Sequence, residues 1–187
     1  VAQVFQRRRF VRLVLTDLRA RRHGGLHHRR RREGLVPVAD AAAVLDGGWP
    51  AWEAGGYPTS GGVETNAAAT FHGEPRQGWL VLREEVPAVR ALIDSRAPER
   101  YRGEEEPYDP VAGHIPGAVN YYYRQNLDED GRFLPPDTLR RQLGAVLGDA
   151  DPTTAVYYCG SGVTSCHNLL AQVHAGLGMG RLYAGSW

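Results

Sequence analysis

The 187-residue sequence has no lysine, only two cysteines and no long apolar run. Two cysteines seven residues apart are too few for a disulfide-stabilised fold, and they lack the His and Cys clustering of a zinc site. The apolar stretch at residues 10–18 is interrupted by Arg12 and Asp17, so no membrane span is expected. No serine precedes Ser60, which argues against a transit peptide. We therefore expect a soluble, cytoplasmic protein without a metal site.

Charge is balanced over the whole chain but divided along it. All 22 basic residues are arginine, against 21 acidic residues, and the net charge is +1. Residues 1–33 hold eleven arginines and two acids, whereas residues 34–187 hold eleven arginines and nineteen acids. The balance argues against a uniformly basic nucleic-acid-binding protein. The basic segment is interpreted as a disordered tail, or as a segment whose reading frame differs from that of its relatives.

A short pattern occurs twice, 138 residues apart. Residues 44–49 and 181–187 each join an apolar pair to a small-residue turn and a tryptophan, Trp49 or Trp187. The separation is the size of one domain, so the pattern predicts two tandem copies of one unit. The chain would then begin late in the first copy and end before the last helix of the second. Residues 55–70, rich in Gly, Ser, Thr and Ala, are predicted to be a linker.

From residue 78 onward, short apolar runs alternate with helical patterns. Strands are predicted at residues 79–82, 91–94, 118–120, 155–158 and 182–183. A short helix is predicted at residues 84–90. Two further helices are predicted from apolar faces, one of Leu139, Leu143, Val146 and Leu147, the other of Cys166, Leu169, Leu170 and Val173 with an end at Gly176. This alternation predicts an α/β domain with a mostly parallel central sheet flanked by helices, whose ligands bind at the carboxyl ends of the strands.

The predicted strand at residues 155–158 leads directly into a cysteine, a loop with two glycines and the start of a helix. This loop consists of Cys159, Gly160, Ser161, Gly162, Val163 and Thr164. Loop amides and the helix dipole favour a thiolate over a thiol, which lowers the cysteine pKa and gives a nucleophile at neutral pH. Cys159 is therefore predicted to be catalytic, with an inert buried cysteine as the alternative. Cys166 is interpreted as a core residue, with a redox partnership as the alternative.

These motifs together resemble the rhodanese family of sulfurtransferases in its tandem two-domain form. The resemblance is carried by residues 94–96, 100–103, 113–120 and 159–164 and by the two glycine-containing turns that end at Trp49 and Trp187. It implies three segments, namely a remnant of an inactive rhodanese-like domain at residues 1–58, a linker at 59–77, and a catalytic rhodanese-like domain lacking its final helix at 78–187.

The resemblance implies that Cys159 takes a sulfane sulfur from a small anionic donor and carries it as a persulfide. The sulfur then passes to cyanide or a thiol acceptor, with a thioredoxin-like protein as one candidate, and no cofactor takes part. Thiosulfate and 3-mercaptopyruvate are the implied donors. Arg100 is implied to bind the donor's anionic group, which fits the charge-assisted hydrogen bonds of arginine. The mercaptopyruvate enzymes carry a second arginine near Tyr108, where this sequence departs from them.

Other charged residues near these motifs have simpler interpretations. Arg96 and Arg102 are interpreted as solvated surface residues, with replacement of the missing second arginine as the alternative. The acidic run at residues 104–106 is interpreted as a solvated loop. His114 is interpreted as a hydrogen-bonding residue of its Gly-His-Ile-Pro-Gly turn rather than as a catalytic group.

The composition of the loop bears on the choice of donor. Thiosulfate-selective relatives carry cationic residues just after the cysteine, whereas those positions here are Gly160 and Ser161. The loop therefore resembles that of the 3-mercaptopyruvate enzymes, in which the loop serine handles the donor's proton with a His and an Asp from the first domain. Thiosulfate is expected to be the weaker donor, because a loop without fixed positive charge gives a second negative charge little stabilisation.

Two alternatives to a sulfurtransferase stay open at this point. Cell-cycle phosphatases share the rhodanese fold and use a loop thiolate, but they need an arginine six positions after the cysteine, where this sequence has Ser165. The non-enzymatic alternative is a truncated sulfur-binding or interaction module.

Overall fold

The computed structural model describes residues 35–39, 42–63, 65, 76 and 78–187. The chain divides into two compact units: unit 1 contains Val1–Gly56 and Leu127–Phe133, and unit 2 contains Tyr57–Asn126 and Leu134–Trp187. The predictions for the basic segment at residues 1–33 lie outside the described residues. None of the helices in the described ranges has the length and apolar character needed to cross a lipid bilayer.

Unit 1 contains a hairpin followed by a short helix. Strands β1 (Leu35–Ala39) and β2 (Ala42–Leu45) pair antiparallel, and β2 leads through a turn into helix α1 (Gly48–Ala54). Gly47 and Gly48 in this turn have φ values of +82° and +60°, a left-handed conformation that glycine adopts without a Cβ clash. The Asp46 carboxylate accepts a hydrogen bond from the Phe133 amide at 2.8 Å.

Unit 2 is built on a parallel sheet. In the described part of the chain this sheet has the strands β3 (Leu92–Asp94), β4 (Val119–Asn120), β5 (Val156–Tyr158) and β6 (Arg181–Leu182), in the order β4-β3-β5-β6. Both inner strands, β3 and β5, are buried along their whole length. Such strands read as continuous apolar runs, which is why the sequence predicted them. The predicted α/β class with a parallel sheet is confirmed.

The strand predicted at residues 79–82 is wrong. Only Leu80 forms a bridge to Leu182, and β6 is too short to extend this pairing. The Leu82 amide instead donates to the Glu85 carboxylate at 2.6 Å, at the start of the 3₁₀ helix Arg83–Ala88. A side-chain acceptor thus replaces the sheet partner that this amide would otherwise need.

Two helices of unit 2, at Pro136–Leu147 and Val163–His174, lie close to predicted positions, whereas the helix at Pro98–Arg102 was not predicted. The three helices are α2 (Pro98–Arg102), α3 (Pro136–Leu147) and α4 (Val163–His174), with further 3₁₀ helices at Tyr123–Asn126 and Pro152–Thr154. Helix α3 buries Leu139, Leu143 and Leu147, which recur every four residues and so share one face. This confirms the apolar face predicted there.

Helix α4 buries Leu169, as predicted, but not the whole predicted face. Cys166 is exposed, so its interpretation as a core residue is wrong. Asn168 and Gln172 face inward instead and are completely buried. Asn168 donates to Ser95 Oγ at 2.9 Å, and Gln172 accepts from the Tyr157 hydroxyl at 2.6 Å. Because buried polar groups need partners, these hydrogen bonds set the rotation of the helix and turn Cys166 outward.

Candidate active site

The loop after β5 surrounds a thiol with hydrogen-bond donors. Cys159 follows this central strand, and its side chain is only 2% exposed. Its Sγ accepts hydrogen bonds from the Gly162 amide at 3.1 Å, from the Ser161 amide at 3.4 Å and from the Ser165 hydroxyl at 3.6 Å. Gly162 has φ +80° and precedes helix α4, and this conformation lets the chain curl around the sulfur. We call residues 159–165 the thiol cradle.

The thiol cradle lowers the pKa of Cys159. Burial alone raises this pKa, but hydrogen bonds from the Thr164 hydroxyl, the Ser161 and Ser165 amides and the Ser165 hydroxyl outweigh burial and bring the pKa from 9.0 to about 7. These donors favour the thiolate because they bond more strongly to a charged sulfur than to a neutral one. The thiol cradle therefore shifts the Cys159 side chain toward the thiolate at neutral pH.

The remaining loop residues differ in exposure. Ser161 and Val163 are exposed, whereas Thr164 is half-buried. Gly160 lies beside Arg100, since a Cβ at residue 160 would be 3.4 Å from both Nη1 and Nη2 of the guanidinium. The structure therefore brings Arg100 next to the loop that holds Cys159.

The Arg100 guanidinium is bound by two carboxylates. Its Nη2 donates to Glu106 Oε1 at 2.6 Å and to Asp109 Oδ2 at 2.9 Å, and its Nε donates to Glu106 Oε2 at 3.2 Å. The Tyr108 ring lies 5.1 Å from the Arg100 guanidinium carbon, and Tyr108 is 81% exposed. An aromatic face at this distance attracts a cation.

Arg96 is buried, so its interpretation as a solvated residue is wrong. It forms an ion pair with Asp94 at 2.7 Å and another with Glu106 at 3.2 Å, and its Nη2 also donates to the Gly113 carbonyl at 2.6 Å. Asp94 is fully buried at the end of β3, and a buried carboxylate is costly without a cationic partner. Arg102 is exposed and pairs with Glu104, as expected of a solvated residue.

Glu106 is likewise not part of a solvated loop, because its side chain is only 4% exposed. Burial tends to raise the pKa of Glu106, but hydrogen bonds from Arg100 and from the Asp109 and Tyr108 amides prevail and lower it. We call Asp94, Arg96, Arg100, Glu106 and Asp109 the arginine cluster. Sequence reasoning missed the three carboxylates of this cluster. The one available signal was Asp94 itself, an acid at the end of a buried strand two residues before an arginine.

Two other residues considered in the sequence, His114 and Ser165, make contacts within the local fold. His114 Nδ1 lies 2.7 Å from the Tyr101 carbonyl, and its ring stacks on the Tyr101 ring at 3.8 Å, so His114 ties its turn to helix α2. Ser165, at the position where a phosphatase needs arginine, is fully buried, and its single O–H lies between two acceptors, the Gly162 carbonyl at 2.9 Å and Cys159 Sγ at 3.6 Å. Among the described residues, no group of three or more His, Cys, Asp or Glu side chains is arranged to hold a metal ion.

Known proteins with similar sequences and structures share this architecture. The family model described as "Rhodanese-like domain" matches residues 77–187. A "probable 3-mercaptopyruvate sulfurtransferase" of Pseudomonas aeruginosa is 46% identical over 153 residues, which are 79% of this chain and 54% of that protein. The thiosulfate sulfurtransferase of Bos taurus is 34% identical over 154 residues, 78% of this chain and 51% of that protein.

A solved structure gives the same result. The 3-mercaptopyruvate sulfurtransferase from Leishmania major matches with a TM-score of 0.66 and 33% identity over 78% of this chain and 42% of that one. The chain spans about half the length of the relatives it matches. The family model covers more than half of the chain and includes the thiol cradle and the arginine cluster. This chain belongs to the rhodanese-like domain family.

Proposed function

We propose that this chain is a sulfurtransferase that moves a sulfane sulfur through a persulfide on Cys159. The observation that carries the proposal is the thiol cradle, in which a cysteine at the end of a central parallel strand has a pKa lowered to about 7. Two relatives, 46% and 34% identical to this chain over about 150 aligned residues, are named as sulfurtransferases.

The chemistry requires a thiolate that attacks sulfur. The Cys159 thiolate attacks the outer sulfur of a donor such as thiosulfate, an S–S bond forms, and the donor's own bond to that sulfur breaks with its electron pair leaving on sulfite. The resulting persulfide anion carries one negative charge, as the thiolate does, so the donors of the thiol cradle can stabilise both. A cyanide ion or an acceptor thiolate then attacks the outer sulfur and regenerates the Cys159 thiolate.

Arg100 is proposed to bind the donor's anionic group, because its guanidinium lies beside Gly160. The preferred donor is proposed to be 3-mercaptopyruvate, with thiosulfate weaker, since Gly160 and Ser161 add no positive charge to the thiol cradle. A thioredoxin-like protein is one candidate acceptor. The cytoplasmic location expected from the sequence stays a prediction.

The division into a domain remnant at residues 1–58, a linker at 59–77 and a catalytic domain at 78–187 is also a proposal. It is supported by the similarity to full-length sulfurtransferases, which covers 79% of this chain and so extends beyond residues 77–187. The strands that precede the two tryptophan turns differ in their pairing. Within the described residues β2, before Trp49, pairs antiparallel with β1, whereas β6, before Trp187, pairs parallel with β5.

Mass spectrometry after treatment with each donor tests the function. We expect a gain of one sulfur atom on Cys159, no gain in Cys159→Ala, and release of the sulfur as thiocyanate when cyanide is added. Sulfur found on Cys166 would contradict the catalytic assignment. Hydrolysis of an aryl phosphate that is lost in Cys159→Ser would support a phosphatase instead, and a chain that takes up no sulfur would support the non-catalytic module.

A further inference from the structure

The guanidinium nearest the thiol cradle is surrounded by more negative charge than it carries. Arg96 and Arg100 contribute two positive charges to the arginine cluster, whereas Asp94, Glu106 and Asp109 contribute three carboxylates. Arg100 Nη1 faces Gly160 and has no hydrogen-bond acceptor among the described residues. An incoming anion would therefore meet a free N–H donor whose positive charge is already compensated.

The two carboxylates on Arg100 are not equivalent. Glu106 is 4% exposed and bonds to both arginines and to the amides of Tyr108 and Asp109, so it is an anchor of the local fold. Asp109 is 24% exposed, and its one ion pair is the 2.9 Å contact with Arg100 Nη2. Asp109 is thus the carboxylate that can be altered, or displaced by a ligand, without opening the buried part of the arginine cluster.

We propose that Asp109 is a specificity-determining residue, whose carboxylate competes with the anionic group of the donor for Arg100 and so lowers the affinity for dianions more than for monoanions. This inference rests on the proposed function only in naming the ligand as a sulfur donor. The competition follows from Coulomb's law, because the repulsion between Asp109 and a ligand is proportional to the charge of that ligand.

This proportionality gives a quantitative expectation. If Asp109→Asn improves the binding of a monoanion by some factor, it should improve the binding of a dianion by about the square of that factor. At about 0.1 M ionic strength we expect roughly threefold tighter binding of pyruvate and about tenfold tighter binding of sulfate. Asn keeps an oxygen that can accept from Arg100 Nη2, so the hydrogen bond can persist while the charge is removed.

Calorimetric titration of the 187-residue chain with sodium sulfate and with sodium pyruvate measures both affinities. This measurement does not depend on sulfur transfer, so an inactive chain would refute the proposed function and leave the role of Asp109 to be decided by binding. In the kinetic arm, Asp109→Asn should lower KM for thiosulfate more than KM for 3-mercaptopyruvate and leave kcat within about twofold.

Matched variants separate a local from a general charge effect. Glu104→Gln removes the same charge from the exposed pair with Arg102 and should change either affinity by less than about 1.5-fold. Asp109→Glu should retain the original ratio of sulfate to pyruvate affinity, and Asp109→Ser repeats the test if Asp109→Asn lowers the unfolding midpoint. The proposal is overturned if the neutral variants Asp109→Asn and Asp109→Ser bind both anions only as well as the parent chain does, improve both by the same factor, or bind neither anion. It is also overturned if Glu104→Gln gives the same gain.

Discussion

Two neighbouring regions of unit 2 stabilise charge in opposite ways. The thiol cradle surrounds one sulfur with neutral donors, namely backbone amides and hydroxyls from residues 161–165. The arginine cluster consists of full charges, and Asp94 and Glu106 in it are almost completely buried. The thiol cradle lowers the pKa of Cys159 without adding a counter-charge, whereas in the arginine cluster the positive and negative charges largely cancel one another.

The difference follows from the cost of burying charge. An isolated buried ion is expensive, so Asp94 at the end of β3 needs Arg96, and the remaining charge of Arg96 needs Glu106. Preorganised neutral dipoles stabilise a charge when it forms and cost little when that charge is absent. The comparison predicts that variants in the arginine cluster affect folding and ligand binding, whereas variants in the thiol cradle affect the reactivity of Cys159.

The largest expected effect is on stability in the arginine cluster. Arg96→Ala removes the partner of two buried carboxylates and should lower the free energy of unfolding by about 3 to 5 kcal/mol. Chemical denaturation followed by circular dichroism measures this loss. The matched variant Arg102→Ala breaks an exposed pair and should change the midpoint little. Equal midpoints for the two variants would show that burial of the Arg96 pair has no energetic consequence.

The next effect is on donor binding. Arg100→Ala should reduce kcat/KM for either anionic donor by about ten- to a hundredfold, which corresponds to about 1.5 to 3 kcal/mol for a lost charge-assisted hydrogen bond. Steady-state kinetics measures this change. The lifetime of the Cys159 persulfide in the absence of acceptor should be unaltered, because the thiol cradle and not Arg100 holds the sulfur. An unchanged kcat/KM would remove Arg100 from the site.

A smaller gain is expected when fixed charge is added to the thiol cradle. The double variant Gly160→Arg/Ser161→Lys should raise kcat/KM for thiosulfate by about three- to tenfold. It should raise kcat/KM for 3-mercaptopyruvate by a smaller factor. The side chain at residue 160 fits if Arg100 gives way slightly, since its Cβ would contact the guanidinium at 3.4 Å. The neutral variant Gly160→Gln/Ser161→Gln is the control, and an equal gain from it would contradict the charge argument.

The smallest effect concerns the pH dependence of Cys159. Ser165→Ala removes a donor that favours the thiolate, so the pKa should rise from about 7 by about half to one unit. The rate of alkylation of Cys159 by iodoacetamide, measured in a Cys166→Ala background, should then fall about two- to fivefold at pH 7. It should not fall at pH 9, where Cys159 is largely thiolate with either Ser or Ala at residue 165.

The control for this variant is Ser186→Ala, since the buried Ser186 hydroxyl has no hydrogen-bond partner in the part of the chain that the structure describes. A pKa that falls in Ser165→Ala, or one that rises equally in Ser186→Ala, would contradict the assignment of Ser165 to the thiol cradle.

Much of unit 2 was predictable because its signals are local. The buried strands β3 and β5 are continuous apolar runs, and the apolar face of α3 follows the helical period. The loop at residues 159–164 combines a strand end, two glycines and a helix start within a few residues. The repeated pattern also has a structural counterpart: Gly48 before Trp49 and Ser186 before Trp187 have φ values of +60° and +59°.

The errors concern residues whose surroundings are distant in sequence. Cys166 fits the helical spacing of the apolar residues that follow it in the sequence. The hydrogen bonds of Asn168 to Ser95 and of Gln172 to Tyr157 instead fix the orientation of α4, which leaves Cys166 exposed. Glu106 sits in a run of three acids, and nothing local distinguishes it from Glu104. Its burial follows from two arginines that the fold places beside it.

The sequence by itself determined the α/β class, the parallel sheet and the position of a cysteine in a loop at the end of a central strand, because each depends on the order of apolar runs, glycines and a cysteine along the chain. The tertiary structure alone decided which charges are buried, which arginine faces the loop and which carboxylates compensate it. The physical reason is that the cost of a charge depends on its burial and on partners within a few ångströms, and the fold brings those partners together from separate segments.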